Sequence, residues 1–350
     1  MKALTISRQA APGEPVASVI RLVDNWPDPP APAHGQARVR TLAAALNHLD
    51  LFVARGVPGL KLTYPRVSGC DACGVVEAVG PGVDQAWLGR QVVMNAAIDA
   101  APLASPGEPP RSHAAPAYEL IGEHHHGALA EKFLAPAANL QAVGDEADAA
   151  EAAAFGLTFL TAYSMMRTKA DLRPGQTVLI TGIGGGVALA ALAIAGHLGC
   201  PAIVTSRHEW KLDKAKLLGA DAGVLDAGAD WSREVRAWTK GRGVDIAVDS
   251  SGKATHLNCI KSLTRGGAYV TPGCTSGPDA TTDLARIFWN QLRILGSTMG
   301  SNADFAEVIA LYRAGSLKPV IDHVFDLNKG AEAYARLDSA EQFGKVVIKF

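Results

Sequence analysis

The 350-residue chain has almost no net charge: 33 Lys and Arg stand against 34 Asp and Glu, a balance of −1. Without a basic excess to neutralise phosphates, the charge gives no case for nucleic acid or an anionic membrane surface as a partner. Long apolar runs are also missing. The longest, around 187–195, is too short to span a bilayer. The opening MKALTISRQAAPGEP has one lysine and no apolar core, which predicts no signal peptide. Cysteine is scarce: the five, at 70, 73, 200, 259 and 274, are an odd number at unpatterned spacing. That argues against a disulfide framework and predicts reduced thiols in the cytoplasm. There is no internal repeat of the solenoid kind. What remains is a globular chain, 48% hydrophobic and 19% charged, long enough for two domains.

What is present centres on one run, TVLITGIGGGVA at 177–188. Val178 to Ile180 follows a Pro174-Gly175 turn and suits a buried parallel strand. Gly182, Gly184, Gly185 and Gly186 come next, and then an Ala/Leu-rich segment without proline, which suits a helix. Strand, glycine turn and helix form the first half of a nucleotide-binding βαβ unit. Glycine makes the tight turn, lets the backbone approach a pyrophosphate, and lets the helix lie close to the strand. The helix N-terminus then offers free N–H groups, here from Gly186 and Val187, to phosphate. A strict G-x-G-x-x-G pattern from Gly182 fails at Val187. A lengthened spacing, Gly182, Gly185, Ala188, fits.

Before this run the chain reads as β-rich, with strands predicted at 2–7, 37–42 and 92–94 and a short helix at 47–55. Residues 64–83 alternate glycines and small residues with valines, as a tightly bent small barrel requires. Residues 98–118, rich in Ala and Pro, read as a long surface loop. After about 148 the pattern changes to single helices between short apolar runs. Strands are expected at 178–180, 202–206, 222–225, 244–249, 267–270 and 293–297, which means parallel pairing in a doubly wound sheet. The tail predicts helices at 303–314 and 330–338 and strands at 324–327 and 345–348.

Taken in order, AALNHLDLF (44–52), GCDACGVVEAVGPGV (69–83), GALAEKFLAPAANL (127–140), LTAY (160–163), the 172–188 run, GVDIAVDSSG (243–252) and QFGKVVIKF (342–350) make the chain resemble the medium-chain dehydrogenase/reductase superfamily. More narrowly, it is similar to the zinc-free, quinone-oxidoreductase-like branch, where the lengthened glycine spacing is usual. The resemblance implies an α/β protein: a GroES-like β-barrel catalytic domain over 1–147 with a C-terminal return at 300–350, and a Rossmann doubly wound parallel sheet over 148–299. It also implies an active site in the cleft between them.

Zinc members of the superfamily hold catalytic metal with a Cys, a His and a second Cys. By motif those places fall here on Asn47, Cys70 and near Leu157. Tetrahedral zinc needs three protein ligands and an open place, so no metal is expected. The Cys70-x-x-Cys73 pair reads as small residues in a crowded turn, and His124-His125-His126 as a solvated turn or pocket rim.

An Asp or Glu at the end of the second Rossmann strand would bind the ribose 2′-OH of NAD. Here Thr205, Ser206 and Arg207 stand there, with Lys211 a turn later. Arg207 and Lys211 would pair with a 2′-phosphate, so NADPH is the expected cofactor. Lys345 adds a charge at the same end on the family pattern. Further cofactor contacts implied by matching motifs are Thr161, Ser250, Gly273, Thr275 and Ser297. Asn47 takes the place of the branch's usual Asn, with His48 and Asp50 the nearest titratable groups; for Asp50, capping or bracing the barrel is an equal alternative. Leu49 cannot relay a proton, Phe52 stands where some quinone reductases have Tyr, and Tyr64 is a substitute by residue type only.

The expected function is NADPH-dependent, zinc-independent hydride transfer to a small-molecule quinone or α,β-unsaturated carbonyl. Without a Lewis acid, a conjugated acceptor that spreads charge onto oxygen suits the site best. A zinc-type alcohol dehydrogenase with atypical ligands and a non-catalytic dinucleotide-binding relative are the alternatives. The sixth strand, RILGSTMG, suggests an exposed sheet edge and a homodimer.

Overall fold

A computed structural model describes residues 1–99, 118–228 and 230–350. The chain divides into two units: 1–157 with 301–315 and 319–350, and 158–300 with 316–318. The first division falls inside the helix Ala149–Tyr163.

In the first unit the long strand Gln36–Ala45 is the organising element. One side carries Ala72–Val79, then Gln91–Met94 and Leu140–Ala142. On its other side lie Lys132–Pro136 and the C-terminal strand Lys345–Lys349, which in turn pairs with Ile321–Asp326. A second, three-stranded sheet takes Ile20–Val23, Ala3–Ile6 and Arg66–Val67. Alternation drives the burial: Ala37, Val39 and Ala43 are fully buried while Arg40 is exposed. The strands Ala97–Asp99 and Tyr118–Leu120 pair antiparallel and flank the expected long loop, of which 100–117 lie outside the described residues.

The second unit is a six-stranded parallel sheet. Its spatial order runs Ala222–Leu225, Ala202–Ser206, Val178–Ile180, Val244–Val248, Leu263–Thr271, Arg293–Gly296. The order reverses between Val178–Ile180 and Val244–Val248, the switch point where a doubly wound sheet opens a crevice at its carboxyl ends. Leu179, Ile203, Val244, Ala247 and Ile260 are fully buried, with Trp231 and Tyr269 nearly so. These short runs are apolar throughout because helices cover both faces. The strand starting at Leu263 is longer than the predicted 267–270. Its Thr-Arg-Gly-Gly segment, 264–267, reads as a turn and falls in a register shift: Leu263 pairs Val244 and Ala268 pairs Ile246, so the four residues between bulge out of the ladder. Helix Ala149–Tyr163 passes, in the second unit, into a π-helical turn, Ser164–Lys169. No helix among the described residues is long and apolar enough to cross a membrane.

Candidate active site

In the first unit, register builds a buried polar cage. Val347 lies opposite Ala45 and Ile348 opposite Ala44. Two residues further along the same antiparallel pairing, Lys345 comes to Asn47, with Leu46 N–H donating to Val346 O at 2.9 Å. On the other flank, Ala45 N–H donates to Asp71 O at 2.9 Å, so Asp71 ends its strand beside the same two residues. The Lys345 ammonium donates to Asn47 Oδ1 at 2.5 Å and to Asp71 Oδ2 at 3.2 Å. Both ends of this ion pair are out of solvent, at 4% and 1% side-chain exposure. A buried charge needs such a partner, or it neutralises.

Because Oδ1 of Asn47 faces an ammonium, its Nδ2 must turn the other way. It lies 3.2 Å from Ala45 O and 3.5 Å from both Cys70 Sγ and Asp71 Oδ2. The Leu157 N–H donates to Asp71 Oδ1 at 3.1 Å. Gly156 permits this approach: a Cβ there would meet Asp71 Oδ1 at 2.6 Å. Burial pushes the Asp71 carboxyl up, and the Lys345 ammonium pulls it back. Burial, reinforced by Asp50 and Asp71, drives the Cys70 thiol well above its ordinary range, so it stays protonated.

Asp50 braces the cage. Its two oxygens accept the Asn47 N–H and the Gly69 N–H, each at 2.8 Å, which caps the helix His48–Arg55 and fixes the turn at Gly69, where φ is +103°. Burial lifts its carboxyl to about 6. With both oxygens committed to backbone donors, the bracing alternative accounts for the contacts seen. His48 is half-buried against Phe52, at 6.4 Å between ring centroids. Burial, then the nearby Lys345 charge, lowers its pKa, so the imidazole is neutral at pH 7. The Tyr64 hydroxyl is committed to Val53 O at 2.7 Å.

Zinc does not fit here. The places that the family pattern gives to the three ligands hold Asn47, Cys70 and Leu157, one possible ligand of three, and an ammonium lies against the carboxamide oxygen. No three His, Cys, Asp or Glu among the described residues are grouped to hold a metal ion. Cys70 and Cys73 are free and buried, and Cys73 accepts from Gln91 Nε2 at 3.4 Å. The histidine run is structural in part: His124 Nδ1 accepts the Leu120 N–H at 3.1 Å, and His126 Nδ1 the Val67 N–H at 3.2 Å. The expectation that Lys345 adds its charge beside a 2′-phosphate needs correction, because that charge is committed to Asn47 and Asp71. The ion pair of Asp71 with Lys345 was not anticipated from the sequence. The signal was there: an acid beside Cys70 at the mouth of a valine-rich strand must find a cation when buried.

In the second unit the glycine turn has the geometry its sequence asks for. Gly182 and Gly184 have φ of +65° and +109°, and a Cβ at Gly182 would come within 3.2 Å of Ser251 Oγ. The helix Gly186–His197 begins with Gly185 as N-cap and no side-chain cap. The first N–H to find a helical acceptor is that of Leu189, bonded to Gly185 O at 3.0 Å, so the N–H groups of Gly186, Val187 and Ala188 precede the ladder. This uncapped end suits an anion. Buried Thr205 Oγ1 and Ser297 Oγ, at the ends of two strands, have no hydrogen-bond partner among the described residues. They fit a polar ligand lying across the strand ends. Ser206 Oγ accepts the His208 N–H at 3.1 Å, Arg207 is exposed, and Lys211 is buried with its ammonium 5.3 Å from the Trp210 ring centroid. Thr161 is buried and bonds Met299 Sδ at 3.7 Å. Ser250 O accepts from Thr275 Oγ1 at 3.2 Å, and Gly273 is exposed beside them.

Below this rim, Asp249 ties the strand ends together. Wholly buried, it accepts from Thr181 Oγ1 at 2.5 Å, Thr255 Oγ1 at 2.8 Å, Tyr269 OH at 2.8 Å and Ser251 N–H at 2.9 Å. That network fixes the turn at Ser250 to Gly252 and went unrecognised in the sequence.

Comparison with known proteins agrees with this architecture. Residues 33–145 match the alcohol dehydrogenase GroES-like domain, and residues 186–314 the zinc-binding dehydrogenase domain. The chain is 28% identical to a zinc-type alcohol dehydrogenase-like protein, YogA, of Leptosphaeria maculans, with 99% of each covered. A crystal structure of an NAD-dependent alcohol dehydrogenase superposes with a TM-score of 0.90 at 38% identity, covering both chains completely. A cobalt- and zinc-bound thermostable alcohol dehydrogenase from Pyrobaculum aerophilum is 29% identical with a TM-score of 0.84, covering 100% of this chain and 99% of that one. A GroES-like unit, a parallel Rossmann-type unit and full-length likeness to dehydrogenases lead to one conclusion: the chain belongs to the medium-chain dehydrogenase/reductase superfamily of oxidoreductases.

Proposed function

We infer that the protein is a zinc-independent reductase that passes hydride from NADPH to quinones or α,β-unsaturated carbonyls. One observation carries this reading: the places where zinc enzymes of the family bind metal hold Asn47, Cys70 and Leu157, one possible ligand of three. Without a metal to polarise an isolated carbonyl, a conjugated acceptor is the better substrate, since it spreads the incoming charge onto oxygen. The dinucleotide supplies the hydride; the chain's own part is to seat and orient it. Gly186, Val187 and Ala188 N–H would hold the pyrophosphate, and the unpartnered Thr205 and Ser297 hydroxyls would bond the dinucleotide's polar groups.

The preference for NADPH rests on the end of strand Ala202–Ser206. No carboxylate stands at 205–207 to repel a 2′-phosphate, and Arg207 is exposed and able to pair with one. Relatives named as NAD-dependent make this the point to test. Reduction of a quinone and enone panel is followed with NADPH and NADH, for wild type and Arg207→Ala. The expected result is a preference for NADPH that falls about tenfold in the variant, the worth of one charge-assisted bond. Equal affinity for both cofactors, unchanged by the substitution, overturns the assignment. Tight NADPH binding with no turnover across the panel favours a non-catalytic relative instead.

The cytoplasm is the proposed location, supported by five free cysteines, one of them, Cys274, exposed. A homodimer is supported by the edge strand Arg293–Gly296 and its neighbouring helix, where Leu284, Phe288 and Trp289 are 70%, 69% and 71% exposed. Apolar side chains beside unpaired strand backbone suit a second copy pairing edge to edge. Light scattering checks this: Trp289→Glu converts a wild-type dimer to monomer, and a monomeric wild type at micromolar concentration removes the idea.

A further inference from the structure

The three positions that carry zinc ligands in metal-dependent members converge here on an ion pair. Asn47 Oδ1 is 2.5 Å from Lys345 Nζ, Asn47 Nδ2 is 3.5 Å from Cys70 Sγ, and the Leu157 N–H is 3.1 Å from the Asp71 carboxylate that faces the same ammonium at 3.2 Å. Charge is conserved by this exchange. A dication held by two thiolates and a neutral imidazole is a neutral assembly; so is one ammonium held by one carboxylate and a neutral carboxamide. An ammonium has three N–H donors. Asn47 and Asp71 take two, and the third has no hydrogen-bond partner among the described residues.

We propose that Lys345 is the resident cation of the site: its ammonium stands in the place of the metal and gives its third N–H to the oxygen of the bound acceptor. This rests on the reductase reading above. As the C–H bond of the reduced nicotinamide breaks, hydride forms a new C–H bond on the acceptor carbon. The acceptor's π bond opens, and the electron pair passes to its oxygen. The Lys345 N–H stabilises that oxygen by a charge-assisted hydrogen bond, and a proton from solvent completes the reduction. Asn47 and Asp71 are then positioning residues, holding the ammonium from two sides, and Asp50 acts one step further out by fixing Asn47.

Three variants test the proposal. Lys345→Met keeps the length without charge or donors, Lys345→Met with Asp71→Asn restores neutrality, and Lys345→Arg keeps the charge. For each, zinc content after dialysis, dinucleotide affinity, kcat and KM on an enone, and the unfolding midpoint are measured. Wild type should carry no zinc. Lys345→Met alone should unfold at lower denaturant, with Asp71→Asn recovering most of the loss. The double variant should bind dinucleotide within about threefold of wild type yet lose about 100-fold in kcat, the effect of deleting one oxyanion donor, with Lys345→Arg recovering part. About one zinc per chain that survives dialysis, with activity lost to chelator, overturns the proposal. So does an unchanged kcat in the double variant, or a loss confined to dinucleotide affinity, which would make Lys345 a phosphate anchor. If wild type reduces neither quinones nor enones, the reductase reading fails on its own. The resident-cation claim is then decided by zinc content and by whether the two substitutions couple in the unfolding midpoint; zinc binding or strict additivity overturns it.

Discussion

Gly156→Ala sets two effects of opposite sign against each other. Glycine inside the helix Ala149–Tyr163 costs about 1 kcal/mol relative to alanine, so propensity alone predicts a gain. The added Cβ, however, would lie 2.6 Å from Asp71 Oδ1, closer than packed atoms tolerate. Asp71 cannot step aside freely: Leu157 N–H holds one oxygen at 3.1 Å, and Lys345 holds the other at 3.2 Å. Overpacking of this kind costs about 1–3 kcal/mol, and breaking a buried ion pair outright about 3–5 kcal/mol. The clash should therefore win, for a net loss of up to about 2 kcal/mol if Asp71 shifts within the cage and about 2–4 kcal/mol if the ion pair breaks. Gly196→Ala is the control. It lies in the helix Gly186–His197, exposed, with nothing within 4 Å of its would-be Cβ, and should gain about 0.5–1 kcal/mol. Because the two glycines sit in different units, native-state hydrogen exchange is the assay, read at amides of each helix. The Leu157 amide is the most informative, since its acceptor is the carboxylate displaced. If Gly156→Ala stabilises as Gly196→Ala does, or leaves Leu157 exchange unchanged, the tight cage described above is wrong.

Two further outcomes are expected. Asp50 is fully buried, and its folded-state pKa is raised from 3.8 to about 6, so the fold favours its protonated form. Its stabilising contribution is then complete below about pH 4 and lost as pH rises through 6, a swing of about 3 kcal/mol. Thermal melts from pH 4 to 7 should show that slope in wild type and not in Asp50→Asn; identical slopes refute it. Asp249→Ala removes the acceptor for Thr181, Thr255, Tyr269 and Ser251 at once, leaving buried donors unpaired. A loss of about 3–5 kcal/mol in denaturant unfolding is expected, and a loss under about 1 kcal/mol contradicts the network.

Much of the parallel-sheet unit was legible because its signals are local. Val178–Ile180, Ala202–Ser206 and Ala222–Leu225 are short apolar runs bounded by turn residues, and their limits coincide with those read from sequence. The glycine turn was legible for the same reason, its need for positive φ being written in residue type. The cage was not. Asn47 and Lys345 are 298 positions apart, and no periodicity within either segment says that they meet. Only the register of Lys345–Lys349 against Gln36–Ala45 joins them. A family pattern drew Lys345 toward phosphate. The competing principle was the requirement that buried Asp71 be compensated.

The closing strand also sets an order of events during synthesis. Asn47, Cys70 and Asp71 are made early, while the strand that lies between Gln36–Ala45 and Ile321–Asp326 carries the lysine they await. At translation speeds of about 5–20 residues per second, the 298 intervening positions take roughly 15–60 s. For that interval the early sheet stands with an unpaired edge and an acid that has no countercharge. The parallel-sheet unit, encoded between, has every strand in hand before then. The strands of the parallel-sheet unit therefore exist before the last strand is made, and the cation reaches the cage only with that strand.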